Sequence, residues 1–322
     1  MRSSRTALVA MLLAAELLIV GLMLFALRGW NGGHVFAASG LREMNASAKT
    51  YAPVAAGLTP HVQIDDPDSG VRVSASNDGL VHVKDLTSIH GFVWGSSKVA
   101  DLTVSRTADG VHISRPSQAH GIVIFGGDLE RIEVAVPSGS HVDIARSSSA
   151  EVSDMQSAVD VKSQDGHIGL FNIRGSVNAH SDDGHIEATN VSGDTLAMST
   201  DDGSLRLKNI TAGVLEAKTS DGRIDASNLS IDGQAPRATL HTDDGSVHIT
   251  GRFSARGSYD FSTRDGREEM TLAPGSDMTI NASTDSGRIY VDGASFGGDD
   301  SAAHTIRLGN GSGAMRLSTQ DG

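Results

Sequence analysis

The sequence predicts an all-β protein: a parallel β-solenoid, or β-helix, of coils about 19 residues long, preceded by one N-terminal transmembrane helix. Three observations predict it. An apolar run lies near the start, an Asp-Gly turn recurs with alternating residues on both sides, and an asparagine returns at a fixed offset from that turn. The composition agrees. Compact cores draw heavily on aromatics and Leu, yet aromatics are 4% of this chain and Gly numbers 37. The apolar residues are mainly Val, Ile, Ala and Leu in short alternating runs, which suits many short strands separated by turns.

Arg2 and Arg5 precede a run from Ala7 to Leu27 that a single charge, Glu16, interrupts. Such a run makes about 31 Å of helix, close to the thickness of a bilayer's hydrocarbon core. Arg28, Trp30 and His34 supply an interfacial flank. A cleaved signal peptide has a shorter apolar stretch, of roughly 7–15 residues, so residues 1–30 read as a cytoplasmic stub and signal anchor. Val35-Phe36-Ala37, the one candidate cleavage site, stands well beyond the run. Glu16 is read as a tolerated carboxyl rather than a contact with another helix. The chain is then a single-pass membrane protein whose C-terminal domain is extracytoplasmic, periplasmic or at the cell surface. Residues 31–64, with Pro53 and Pro60, read as a flexible tether, and residues 65–322 as the β-strand-repeat domain.

The repeat organises that domain. Asp-Gly turns stand at Asp165-Gly166, Asp183-Gly184, Asp202-Gly203, Asp221-Gly222 and Asp244-Gly245, at intervals of 18, 19, 19 and 23 residues. The long interval holds Asp232-Gly233-Gln234-Ala235-Pro236. Alignment on the glycine sorts the residues by face, because strand side chains alternate. Two positions after it stand Ile168, Ile186, Leu205, Ile224 and Val247; five before it stand Val161, Ala179, Met198, Ala217 and Leu240. Three before it stand Ser163, Ser181, Thr200, Thr219 and Thr242. These positions should point inward, and the variable ones between them outward.

Six residues after the glycine stand Asn172, Asn190, Asn209 and Asn228. Asn suits turns better than strands, so four at one register predict an inward ladder of amides hydrogen-bonded from coil to coil. Asn190-Val191-Ser192 and similar triplets match the glycosylation sequon, but an inward Asn argues against that reading. Weaker copies at Asp78-Gly79 and at Asp285-Ser286-Gly287 extend the pattern to roughly a dozen coils, or about 50–60 Å at the ordinary strand spacing. The chain closes on Ser318-Thr319-Gln320-Asp321-Gly322, a turn with no strand after it, so either the sequence is truncated or the last coil is left unfinished and open. The rival fold is an antiparallel β-sandwich of Asp-Gly hairpins.

The alternating strand Ile132-Glu133-Val134-Ala135-Val136, its Pro137-Ser138-Gly139 turn and the following His141-Val142-Asp143-Ile144 resemble the bacterial putative-adhesin family of β-strand-repeat domains of unknown function. That family is related to toast-rack-type, membrane-associated domains. The Ser/Thr-X-Asp-Gly-X-Ile/Leu units from 159 to 250 and Leu272-Ala273-Pro274-Gly275 carry the same resemblance. It implies an extracytoplasmic β-solenoid-like domain and brings no catalytic residue with it. Residues 85–130 fit the repeat poorly.

A formal charge of −13 argues against nucleic acid as a partner, since phosphate needs a basic stripe. No cysteine is present, which removes thiol chemistry and Cys-based metal sites. The paired acids Asp182-Asp183, Asp201-Asp202 and Asp243-Asp244 recur at one position of successive coils, where calcium could relieve their repulsion. Gln164 and Ser220 interrupt that column, and Asp before Gly is ordinary turn chemistry, so the structural reading is preferred and no cofactor is expected. His167 and His185, and the column Lys162, His180, Ser199, Lys218 and His241, read as solvated outer-face residues. Acids distributed by the repeat do not make the clustered constellation of a polysaccharide-active β-helix enzyme. The expectation is a non-enzymatic, membrane-anchored cell-envelope protein, an adhesin or ligand-binding surface for an envelope protein or glycan. The alternative is a scaffold that self-associates through its open terminal coil.

Overall fold

The computed structural model describes residues 48–94, 100–117, 122–254, 256–272, 278–284, 288–291, 294–297, 304–308 and 313–319. The anchor expected over Ala7–Leu27 lies outside these residues, as do residues 31–47 of the expected tether. The chain divides into a unit Met1–Arg42 and a unit Glu43–Gly322, and the description below concerns the second. Among the described residues there is no helix, and so none long and apolar enough to cross a membrane.

The Asp-Gly corners join strands that belong to different sheets. Val159–Ser163 pairs in parallel with Val177–Ser181, which pairs with 196–200 of the next coil. Past the corner, Ile168–Arg174 pairs in parallel with 186–192, which pairs with 205–211. No pairing links the strands on either side of a corner; each bonds to the coil before and the coil after. Parallel registers at both sheets exclude the hairpin sandwich. The steps from Val159 to Val177, Leu196, Leu215, Ala238 and Tyr259 reproduce the spacing of the repeat.

This stack makes about six turns, fewer than the dozen expected. The flanking copies of the motif serve another purpose. His61–Ala75 lies directly beside His141–Ser153, and strands from the sequence between the two occupy its far side. There Gly110–Ser114 and Arg131–Val136 add in parallel, followed by the antiparallel strands Thr103–Arg106 and His82–Asp85, with Lys49–Thr50 on the latter. At the other end Gly313–Thr319 slots between 258–263 and Met278–Thr284, and His304–Leu308 pairs antiparallel outside. Arg288–Val291 continues the second sheet, with Ala294–Gly297 antiparallel on it. The expected open terminal coil is therefore replaced by antiparallel strands at both ends, which interrupt coil-on-coil growth. The poorly fitting segment 85–130 contains a separate antiparallel pair, Ser88–Trp94 with Ile122–Leu129.

The domain also begins before residue 65. Val62 and Ile64 are fully buried in the first long strand. Upstream, Tyr51 donates its hydroxyl to Leu102 O at 3.0 Å, and Val54 bridges to Val81. Apolar side chains that reach a core hold residues 49–64 on the domain, so that part of the expected tether is folded.

Inside, the repeat positions behave as alternation requires. Ile168, Ile186, Leu205, Ile224 and Val247 are buried, as are Val161, Ala179, Met198, Ala217 and Leu240. The Ser/Thr column is buried too, and its hydroxyls staple each corner to the one below. Thr200 Oγ1 donates to Gly184 O at 2.7 Å, Thr219 to Gly203 O at 2.7 Å and Thr242 to Gly222 O at 2.8 Å. Such bonds are what allow a buried hydroxyl without a desolvation penalty. Corners stack so closely that a Cβ on Gly203 would lie 2.1 Å from Gly184 O, and one on Gly222 1.9 Å from Gly203 O. The glycine is there for that approach rather than for a left-handed turn, since none of these corner glycines has a positive φ. Toward residue 260 the small side chains give way to rings: Phe253 packs on Tyr259 at 5.0 Å and on Phe261 at 5.7 Å. Burial pushes the Tyr259 phenol up to about 12 while its hydroxyl donates to Ser254 O at 2.9 Å.

Candidate functional site

Asn172, Asn190, Asn209 and Asn228 form a continuous ladder along one edge of the stack. Asn190 Nδ2 donates to Asn172 Oδ1 at 3.1 Å, Asn209 to Asn190 at 2.8 Å and Asn228 to Asn209 at 2.8 Å. The residues are not inward, as the alternation had suggested. Asn172, Asn190 and Asn228 are exposed and Asn209 is half-buried. The cause is local. Each has φ between 55° and 58°, the left-handed conformation in which Asn is the best tolerated residue after Gly. That conformation bends the strand between two inward apolar residues, Leu170 and Ile173 in the first such coil, and throws the intervening side chain outward. The ladder also has a fifth rung that the repeat alignment missed. Asp154, with φ 61°, accepts from Asn172 Nδ2 at 3.0 Å. It sits one repeat before Asn172, but its coil lacks the Asp-Gly corner used for alignment, so only the spacing points to it.

A second column runs beside the ladder, two residues further along each coil. Arg174 aligns with Ser192, Ser192 with Thr211, Thr211 with Ser230 and Ser230 with Arg252. The two columns line an open groove of about 480 Å³, with Asp154, Met155, Gln156 and Val191 in its wall. A second hollow of about 390 Å³ lies along the same edge, lined by Asn228, Ser230, Thr250 and Arg252 among others. The Asn-X-Ser/Thr triplets thus supply the two rows of this groove.

The ladder's energetics are separable. Asn190→Ala places a Cβ residue without a polar side chain in the left-handed region, at a cost of roughly 1–2 kcal/mol. It also removes two amide bonds worth about 0.5–1.5 kcal/mol each. Asn190→Gly loses only the bonds. Urea unfolding should therefore rank wild type above Gly and Gly above Ala, and equal midpoints for the two variants would refute a role for the backbone conformation.

The other candidate residues are dispersed. Asp182 Oδ1 lies 3.1 Å from His180 Nε2, and Asp243 Oδ1 lies 3.3 Å from His241 Nε2. Asp183, Asp201, Asp202 and Asp244 stand exposed at their corners. Their backbone N–H groups are engaged below, as in Asp202 N to Asp182 O at 3.2 Å and Asp244 N to Ser220 O at 2.8 Å. Among the described residues no three His, Cys, Asp or Glu side chains converge as a metal would need. His167 and His185 do meet, with centroids 4.3 Å apart. Burial, and then the neighbouring His185, hold the His167 imidazole below its ordinary 6.5. His180 Nδ1 is 3.0 Å from Ser199 Oγ, which places the anticipated outer column on adjacent coils.

The Toastrack DUF4097 family model matches residues 61–322, beginning at the first residue of the strand His61–Ala75. A search of curated proteins returns no match. Several solved structures overlap the chain, three of them as follows. A putative lipid binding protein from Parabacteroides distasonis is 13% identical, covers 86% of this chain and 97% of its own, and has a TM-score of 0.42. A putative adhesin from Bacteroides fragilis is 13% identical over 86% and 98%, with a TM-score of 0.36. A putative cell adhesion protein from Clostridium sporogenes is 10% identical over 86% and 95%, with a TM-score of 0.26. With a match that runs from the first long strand through the whole stack of coils, the chain belongs to the Toastrack DUF4097 family.

Proposed function

We propose that the chain is a non-enzymatic, membrane-anchored protein of the cell envelope whose repeat domain is an extracytoplasmic ligand-binding surface of the adhesin kind. The observation that carries this reading is the groove along the asparagine edge, open to solvent and built from the same polar groups on successive coils. Each coil offers a weak contact, and a ligand that spans several gains by multivalency. The groove holds one carboxylate, Asp154, already bound in the ladder, which is poor material for acid–base chemistry. The apolar run Ala7–Leu27 is the anchor, and Arg2 and Arg5 ahead of it put the repeat domain on the outer side.

The test uses the full chain in detergent micelles, mixed with isolated cell-envelope material and sedimented. Co-sedimentation that Asn190→Gly/Asn209→Gly lowers at least tenfold supports the reading. Equal co-sedimentation of the variant, or steady release of soluble sugar from the envelope, overturns it.

A further inference from the structure

We infer that the asparagine edge takes a linear, uncharged polysaccharide, laid along the stacking direction with one sugar against each coil. This rests on the ligand-binding reading above and names its ligand class. A side-chain amide has two N–H donors and two oxygen lone pairs. Asn172, Asn190 and Asn209 each donate once and accept once within the ladder, which leaves one donor and one acceptor per rung for a partner. The parallel column adds the hydroxyls of Ser192, Thr211 and Ser230. Each of these three coils therefore presents an amide and a hydroxyl side by side, a pairing suited to a sugar's hydroxyl groups.

Period and charge select among polymers. Coils repeat every 4.8 Å or so, whereas side chains on one face of an extended peptide recur at about 6.6–6.8 Å. A peptide would fall out of step within two coils, while a pyranose advances its chain by about one coil spacing. Nor is an unpaired strand edge on offer here, because the backbone of these coils is bonded on both sides. The chain's formal charge is −13, yet between Arg174 and Arg252 both columns consist of amides and hydroxyls alone. At the far rung the groove wall carries one acid, Asp154, and one base, Arg174. A neutral stretch in an acidic molecule fits an uncharged ligand better than a polyanion or a basic segment.

Titration calorimetry of the full chain in detergent micelles, with β-linked neutral oligosaccharides from two to six sugars, tests the assignment. Affinity should climb with each sugar up to about four and then level off. Ser192→Ala/Thr211→Ala, which leaves the ladder whole, should weaken the hexasaccharide at least tenfold at an unchanged Tm. Length-independent affinity, or an unaffected double variant, overturns the assignment. If no oligosaccharide binds but envelope material still co-sediments and Asn190→Gly/Asn209→Gly still abolishes it, the ligand class falls and the binding surface stands. If neither binds, both fall.

Discussion

Gly203→Ala is expected to destabilise the domain by more than about 3 kcal/mol, beyond the usual range for one added methyl in a packed interior. The new Cβ would lie 2.1 Å from Gly184 O, 2.6 Å from Gly184 C and 2.7 Å from Thr200 Oγ1. None of these can retreat cheaply. Gly184 O is backbone, and it is already held at 2.7 Å by the Thr200 hydroxyl, so a shift to admit the methyl breaks the staple as well. The same geometry recurs one coil above, at Gly222, so a local opening strains its neighbour. Gly79→Ala is the comparison. Gly79 has φ +72°, and an added methyl there would meet nothing within 4 Å, so it should lose only the left-handed penalty of roughly 1–2 kcal/mol. Urea midpoints at unchanged m-value measure both. A Gly203→Ala loss no larger than that of Gly79→Ala would show that the corners are not locked by close approach.

Arg115→Met should cost about 3–5 kcal/mol at neutral pH, the range for removing one partner of a buried ion pair. Arg115 is buried, with its guanidinium 3.0 Å from Asp66 and 2.8 Å from Asp85, and it donates to Thr87 Oγ1 at 3.0 Å. It thereby fastens the strand Gly110–Ser114 and the end of His82–Asp85 to the first long strand. Burial raises the Asp66 carboxyl above its ordinary 3.8, and the Arg115 charge opposes that rise. A carboxyl raised in the folded state favours folding when protonated, so its ionisation costs stability as pH climbs from 3.8 through the folded value. Without Arg115 the rise is larger. The deficit of Arg115→Met should therefore shrink as pH is lowered from neutral toward about 4, and Asp66→Asn in the same chain should recover part of it. A deficit that does not change with pH would mean that the loss is packing rather than charge.

What the sequence disclosed follows from what strand alternation can encode. Inward apolar residues, the Ser/Thr column and the recurrence of Asn are periodic, so alignment on the corner glycine exposes them. Which way the Asn points is a matter of φ at one residue, and an extended strand was the wrong assumption there: at 55–58° the chain bends and the amide meets solvent. Asp154 escaped because its coil has Ser147 and Ser148 where later coils carry the Asp-Gly corner. The ends were illegible for a different reason. Val71-Arg72-Val73 and Ile289-Tyr290-Val291 alternate as any strand would, and nothing in such a pattern distinguishes a further coil from a strand with antiparallel company. The groove itself is a property of two columns two residues apart, visible in the sequence only as repeated Asn-X-Ser/Thr.

The placement of Gly313–Thr319 sets the order in which the molecule can be completed. From Val159 onward each strand finds its partner already made some twenty residues earlier, so coils can add in the order of synthesis. At 258–263 that rule stops. The place beside it belongs to residues 313–319, and Met278–Thr284, though synthesised first, joins this sheet of the stack through them, with His304–Leu308 on its other side. A nascent chain must hold that berth vacant for about fifty residues, losing loop-closure entropy before any contact offsets it. Assembly of this end is thus the late, slow event, while the asparagine edge is finished well before it.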